Sequence, residues 1–379
     1  MSTASIGVTL GVEEEYVLLD ARSGLAVPSA AKVEAAAGLE ATLGSGELDR
    51  ELLQAQIEVA TPVCRDLEQV AAHLTRLRRA VRRAAVRGGC VAAASGAAPL
   101  ASGTVVPVTP TRRYKDMHTE AARLVDEQLI CGMHVHVAVP SRCLGAGALA
   151  RLRPWLAVLV ALGANSPFWD AKDTGFASWR TVVFGRWPAS GAPPFAPDAE
   201  QYEQRVQELL STGVIPDRRQ LYWQARLSEA YPTLEVRAPD VQITVDSAVT
   251  LAGLIRGLVV TGLDETRDGL LAPNPPAGVL TAAGWHAARH GISDVLVDPR
   301  SGKPAPATQV AEALYDHTVC ALRQFGDHDQ VAEGLHRILK EGTGADQQRA
   351  AARNGFPALM DLITKRTADE DPIHARQNG

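Results

Sequence analysis

Four stretches of the chain set polar side chains two residues apart: Glu13-x-Glu15, Gln56-x-Glu58, His134-x-His136 and Glu235-x-Arg237. In an extended strand alternate side chains leave on opposite faces, so each pair shares a face and its apolar neighbours take the other. Ile57 and Val59 thus oppose Glu58, Met133, Val135 and Val137 oppose the histidines, and Leu234, Val236 and Ala238 oppose Glu235 and Arg237. Two carboxylates at that spacing lie about 7 Å apart, which suits a hard divalent cation shared between them. Glu51-x6-Glu58 adds a carboxylate from what reads as a helical turn, Asp49-Arg50-Glu51-Leu52.

Taken singly, each pattern has an ordinary reading. Glu13-Glu14-Glu15 could be a solvated edge, Glu58 a solvated strand face, and a lone H-x-H a structural pair. Four such pairs in one chain are harder to dismiss. The set is rich in carboxylates with His and Arg added, and it contains no thiolate, so it matches magnesium plus phosphate rather than zinc. No G-x-x-x-x-G-K-[ST] loop occurs, because Gly302-Lys303 is followed by Pro304, and Gly145-Ala146-Gly147 lacks a third glycine at the dinucleotide-binding spacing. A bound nucleotide would therefore rest on metal ions and arginines.

The elements that must position these residues are legible from periodicity. Alternation predicts strands over 6–20, 54–61, 90–95, 132–139 and 233–238. The clearest helix is 66–88, where Leu67, Val70, Leu74, Leu77 and Val81 recur at steps of three and four before Gly88-Gly89. Its Arg76, Arg79, Arg82, Arg83 and Arg87 read as a solvated face rather than an RNA patch. Further helices are expected over 119–129, 147–164, 199–212 and 246–263, with 165–197 a long functional loop. After Pro273 the pattern is wholly helical, over 282–290, 306–325, 329–340 and 345–364. Polar strand faces are foreign to a buried parallel sheet. The fold class is therefore α+β: an antiparallel sheet forming a concave active-site face, flanked by helices, with a helical C-terminal third.

Composition narrows the function. Of the 379 residues 46% are apolar and 21% charged, as in a folded chain, and 38 basic against 43 acidic residues leave −5. A net-acidic chain without a dense basic stretch is a poor nucleic-acid binder. No uninterrupted run of about 18 apolar residues occurs, and MSTASIGVTLGVEEEY lacks the pattern of a secretory leader, so no membrane partner and a cytoplasmic location are expected. Cys64, Cys90, Cys131, Cys143 and Cys320 form no C-x-x-C pair and read as buried free thiols.

Six blocks together resemble the carboxylate–amine ligases of the bacterial glutamate–cysteine ligase type 2 family. They are GVEEEYVLLD (11–20), ELLQAQIEVATPVC (51–64), RRY (112–114), GMHVHVAVP (132–140), ANSPFWDAKDTGFASWR (164–180) and PTLEVRAPD (232–240), in register across 1–265. The resemblance implies an active-site sheet like that of glutamine synthetase and an ATP- and Mg2+-dependent ligase. In that chemistry a carboxylate attacks the γ-phosphate of ATP, and an amine captures the acyl phosphate to give an amide, ADP and phosphate. Neutralising phosphoryl charge calls for metal ions and arginines. By matching position, Glu13, Glu15, Glu51, Glu58, His134 and Glu235 would form the metal set, with Glu58 also counted as catalytic. His136 would lie near the ATP phosphates, and Arg237 and Arg180 would act in both catalysis and nucleotide binding. Asn165, Thr174 and Arg113 would contact substrate.

The resemblance also implies a catalytic region over 1–265, a C-terminal helical region over 266–370 on the same core, and a polar tail over 371–379. The partners would be small carboxylates and amines, amino acids above all, and a homodimer is one assembly open to it. The family commonly carries a G-T-H-P block where this chain reads Gly96-Ala97-Ala98-Pro99. If that block touches substrate, specificity has drifted from glutamate plus cysteine. Two competing readings remain: an amino or guanidino kinase that stops at phosphoryl transfer, and a non-catalytic binding protein on a retired ligase scaffold.

Overall fold

The computed structural model describes residues 8–100 and 105–365. The start of the 6–20 stretch and the 371–379 tail lie outside the described residues. The alternating segments become β1 (Leu10–Leu19), β2 (Leu48–Arg50), β3 (Gln56–Ala60), β4 (Val91–Ala93) and β5 (Met133–Ala138). A small separate hairpin joins β6 (Phe168–Trp169) to β7 (Lys172–Asp173). With β8 (Ala225–Leu227) and β9 (Thr233–Val236) the main sheet has seven strands, ordered β2-β3-β1-β5-β9-β8, and β4 pairs with the far end of β1. Every pairing in it is antiparallel, as alternation requires of strands with one polar face.

The apolar face of the sheet is closed by helices. Asp66 caps the helix Leu67–Arg87 by accepting from the Gln69 amide, and the predicted stripe Leu67, Val70, Leu74, Leu77 and Val81 is buried. Two helical stretches, Arg142–Leu162 and Val245–Arg267, are long and apolar enough to span a bilayer, yet 89% and 83% of their most apolar windows are buried within the protein. They are core, beside Val12, Val135 and Val236. The helices Ala307–Gln324 and His328–Glu341 pack in turn on Val245–Arg267. Thr318 sits where a Cβ on Gly257 would clash, so the first of these contacts depends on the missing side chain.

Several boundaries differ from expectation for local reasons. Asp49-Arg50 is not helical but extended, because β2 pairs with β3. The expected helix 119–129 begins instead at Arg112, where Thr111 accepts from the Tyr114 amide, and it breaks at Ala122 (φ 45°) before a short turn Arg123–Asp126. The 147–164 helix starts at Arg142 behind Ser141, and around Pro154, which has no amide hydrogen, it tightens to a 3-10 turn. The loop 165–197 holds the β6–β7 hairpin and a helix Trp179–Phe184 capped by Ser178. The last helix is two, Gly344–Ala352 and Phe356–Thr364, parted at Gly355 (φ 95°). The region after Pro273 also contains a strand ribbon, β10 (Val295–Val297) with β11 (Pro304–Pro306). Three cysteines are buried, but Cys143 and Cys320 are exposed.

Candidate active site

Strand register brings the polar pairs together. Glu15 lies opposite Glu58, Glu13 opposite His134, and His136 opposite Glu235, which also faces Arg226 on β8. Cross-strand partners share a face, so the row continues across five strands. The opposite face carries Val12, Val59, Met133, Val135 and Val236, all buried. A cavity of about 420 Å³ stands over the polar face. Glu13, Glu15, Glu51, Glu58, His134, His136, Arg113, Arg180, Glu235 and Arg237 all reach its wall.

Three overlapping groups have donor atoms within 4.8 Å of one another: Glu13, His136 and Glu235; Glu13, Glu58 and His134; Glu15, Glu51 and Glu58. Two observations show that these residues fit cations. First, Nε2 of His134 is buried without a hydrogen-bond partner, and buried Nε2 of His136 meets the Glu13 carboxylate at 3.2 Å, so both nitrogens turn to the carboxylate row. His136 Nδ1 is 2.9 Å from the Thr233 hydroxyl, which fixes the ring and leaves Nε2 as the ligand atom. Second, the carboxylates are crowded beyond what they tolerate alone. Burial, then the charges of Glu13, Glu51 and Glu15, push Glu58 well above the usual carboxylate range. Burial and the Glu15 charge push Glu51 up to about 7. A divalent cation would relieve both.

The other end of the row is balanced by its own partners. Burial opposes ionisation of Glu13, but hydrogen bonds to His134 (3.1 Å from Nδ1) and His136 hold it well below its ordinary value. Burial and the nearby Arg237 guanidinium push His134 down, so its contact with Glu13 is that of a neutral ring. Burial would lower His136 too, yet the hydrogen bond and charge of Glu13 raise it. Glu235 also stays ionised against its burial, through Arg237 (NH1, 2.5 Å) and Arg226 (Nε, 2.7 Å).

Two guanidinium groups face this cluster across a shared ring: Arg180 and Arg237 stand 5.4 and 6.0 Å from the centroid of Phe184. Arg180 is almost fully buried, and its NH2 donates to the Arg237 carbonyl at 3.2 Å. Its guanidinium lies so close over Gly132 that a Cβ there would fall among its atoms. The glycine of Gly132-Met133-His134 therefore admits the arginine. The Gly132 amide meanwhile donates to Glu15 Oε2 at 2.6 Å. Nε of each arginine is buried without a partner.

Two expected substrate residues lie elsewhere. Asn165 is fully buried, and its Nδ2 donates to the carbonyls of Ala94 and Val241, so it ties backbone segments together behind the site. Thr174 donates to the Pro167 carbonyl and braces the β6–β7 hairpin, while its neighbour Asp173 pairs with Arg349. Neither residue lines the cavity. Ala97 and Ala98 are also off the cavity wall, buried in the core near Leu129 and Ile130.

Arg226 is a site residue that sequence reasoning missed. Its signal was the tight turn between β8 and β9, which places residue 226 opposite 235. Phe184, Trp187, Tyr114 and Tyr222 close the cavity with aromatic surface, and neither spacing nor charge marked them.

Comparison with known proteins gives a consistent result. A family model described as glutamate–cysteine ligase family 2 (GCS2) matches residues 9–371. A protein of Saccharopolyspora erythraea named "Putative glutamate--cysteine ligase 2-1" is 42% identical over 348 residues, covering 92% of this chain and 91% of its own. A Mycolicibacterium vanbaalenii protein named "Putative glutamate--cysteine ligase 2-2" is 43% identical, covering 91% and 93%. The crystal structure of a Francisella tularensis glutamate–cysteine ligase in complex with AMP has the same fold, with a TM-score of 0.71 at 12% identity, over 99% of this chain and 92% of that one.

Proposed function

The chain belongs to glutamate–cysteine ligase family 2, a family of carboxylate–amine ligases, and on that footing we propose an ATP- and magnesium-dependent enzyme that forms an amide through an acyl phosphate. The observation that carries this reading is the meeting, on one sheet face, of three overlapping donor groups with two buried guanidiniums. Glu13, Glu15, Glu51, Glu58, His134, His136 and Glu235 would hold the magnesium ions. Bound there, magnesium would supply charge neutralisation for the nucleotide phosphates.

The protein's own groups do the rest. Arg180 is fixed by Phe184 and the carbonyls of Arg237 and Ala238, Arg237 by Phe184 and the Glu235 carboxylate, and both would aim planar forks at the space where phosphoryl charge develops. Arg113, on the cavity wall and 3.5 Å from Asp217, would meet a substrate carboxylate. The aromatic walls exclude water, which would otherwise consume an acyl phosphate. The two apolar helices form core, which agrees with a cytoplasmic enzyme.

Glutamate and cysteine are the first pair to test. The relatives carry that name, and the alanines that suggested drift do not touch the cavity. The experiment supplies ATP, magnesium, glutamate, cysteine and a mixed amino-acid pool, and follows ADP release with mass spectrometry of each amide. A dominant γ-glutamylcysteine product supports the reading, whereas ADP release with no amide product overturns it.

A further inference from the structure

A second cluster of metal-ligating side chains lies away from the sheet. His286 and His290 stand one turn apart on the helix Ala277–His290, so their rings share a face, with centroids 4.4 Å apart. Gly291, at φ 58°, ends the helix and turns the chain sharply. The turn returns Asp294 beneath both rings, and its carbonyl is held by the Ala307 amide. Asp294 Oδ2 is 3.7 Å from His286 Nε2 and 3.8 Å from His290 Nδ1. The three residues can present ligand atoms within 4.8 Å of one another.

We propose that His286, His290 and Asp294 form a second cation site, specific for a zinc-class transition metal. Tetrahedral zinc with bonds of about 2.0–2.1 Å needs ligand atoms about 3.3 Å apart, so small side-chain rotations close the observed gaps. Nε2 of His286 is buried and has no hydrogen-bond partner, a condition that a metal ion satisfies. Two imidazoles and one carboxylate favour a borderline metal, whereas the carboxylate-rich sheet cluster suits magnesium. The two histidine side chains are about 30% exposed and that of Asp294 is 49% exposed, so a fourth position opens to water. The neighbouring Arg289 does not fill the site, because its guanidinium bonds the Gly175 carbonyl and lies over Phe176.

The site has a structural consequence for the ligase. The Ala288 carbonyl, between the two histidines, accepts from the amides of Ala177 and Ser178 at 2.8 and 2.9 Å. Ser178 caps the helix that carries Arg180. A metal clip across the last turn of the long helix would therefore stiffen the segment that positions Arg180.

The test is calorimetric titration of zinc into the whole protein in excess magnesium, so that the sheet cluster is already occupied. Wild type, His290→Ala and Asp294→Asn are compared with Glu13→Gln. Changes outside the ligand shell cost metal sites about 10- to 100-fold in affinity, so loss of a ligand should cost at least that. Wild type and Glu13→Gln should share one tight zinc equivalent that His290→Ala and Asp294→Asn lack, and only the first two should gain melting temperature with zinc. Equal zinc uptake by wild type, His290→Ala and Asp294→Asn overturns the proposal, as does uptake lost only in Glu13→Gln. Two independent surface substitutions guard against one that fails to fold.

Discussion

Glu13 and Glu14 are adjacent in β1 and serve opposite sides of the sheet. Glu13 faces the cavity, 3.1 Å from His134 Nδ1. Glu14 is fully buried behind it, accepting from Arg78 Nε at 2.9 Å, Arg78 NH2 at 2.5 Å and the Tyr16 hydroxyl at 2.5 Å. Arg78 comes from the helix Leu67–Arg87 and also donates to the carbonyls of Gln242 and Ile243. One strand therefore carries the site on one face and a buried charge network on the other, and the network locks the strand to its supporting helix.

This network should show in stability. Removing one partner of a buried pair leaves an uncompensated charge, which costs about 3–5 kcal/mol. Arg78→Met should lose that much in urea denaturation, and Arg78→Met with Glu14→Leu should lose less than the sum of the two single changes. If Arg78→Met costs under about 1 kcal/mol, the network does not anchor β1.

The cavity face should behave in the opposite way. Glu58 sits among Glu13, Glu15 and Glu51, and its charge is unwelcome without a cation. Glu58→Gln keeps the shape and removes that charge, so the melting temperature without magnesium should hold or rise. Turnover should fall by about 100-fold or more, the size of losing one electrostatic contact in a transition state. Near-normal turnover at low magnesium would exclude Glu58 as a ligand.

Why was so much of this face legible in the sequence? Period-two alternation assigns a side chain to a face without any knowledge of its partners, and Glu58, His134 and Glu235 each sat among apolar neighbours, while Glu13 followed Val12 in a strand of the same period. The antiparallel sheet followed from the same alternation. What alternation does not carry is contact between distant segments. Arg78 stands outside the solvated arginine set of its helix, and its steps from Leu74 and to Val81 place it within the buried stripe, but nothing local names Glu14 as its partner. Asn165 and Thr174 lie in a loop with no period, so nothing local showed that their side chains turn to backbone carbonyls. The shift of the 119–129 helix to Arg112 came from a single cap, Thr111.

The raised carboxylates give a pH signature for the metal-free protein. Glu51 rises from 4.5 to about 7 on folding, so between those values the folded state holds a proton that the unfolded chain has released. Stability in a chelator should therefore fall as pH rises through that window, and Glu58, shifted the same way, adds to the fall. Glu13 and Glu235 are lowered instead, and their contribution is lost only in more acidic solution. Magnesium competes with these protons, so its stabilisation should grow over the same window. Melting curves with chelator and with magnesium, from about pH 5 to about pH 8, should diverge with rising pH. Parallel curves would exclude cation binding at Glu51 and Glu58.

The last prediction separates phosphate recognition from metal binding. Gly132 touches both: its amide holds Glu15, and its α-carbon leaves the space that the Arg180 guanidinium occupies. Gly132→Ala would place a methyl group among the guanidinium atoms and force Arg180 to move, while every carboxylate and histidine of the row stays in place. Turnover should then fall by about 100-fold or more, as for loss of a charge-stabilising donor. The magnesium-induced rise in melting temperature should persist. Arg180→Lys should reproduce the turnover loss, because a point ammonium cannot match the planar fork. If Gly132→Ala instead abolishes the magnesium effect and Arg180→Lys does not, the glycine acts through Glu15 rather than through Arg180.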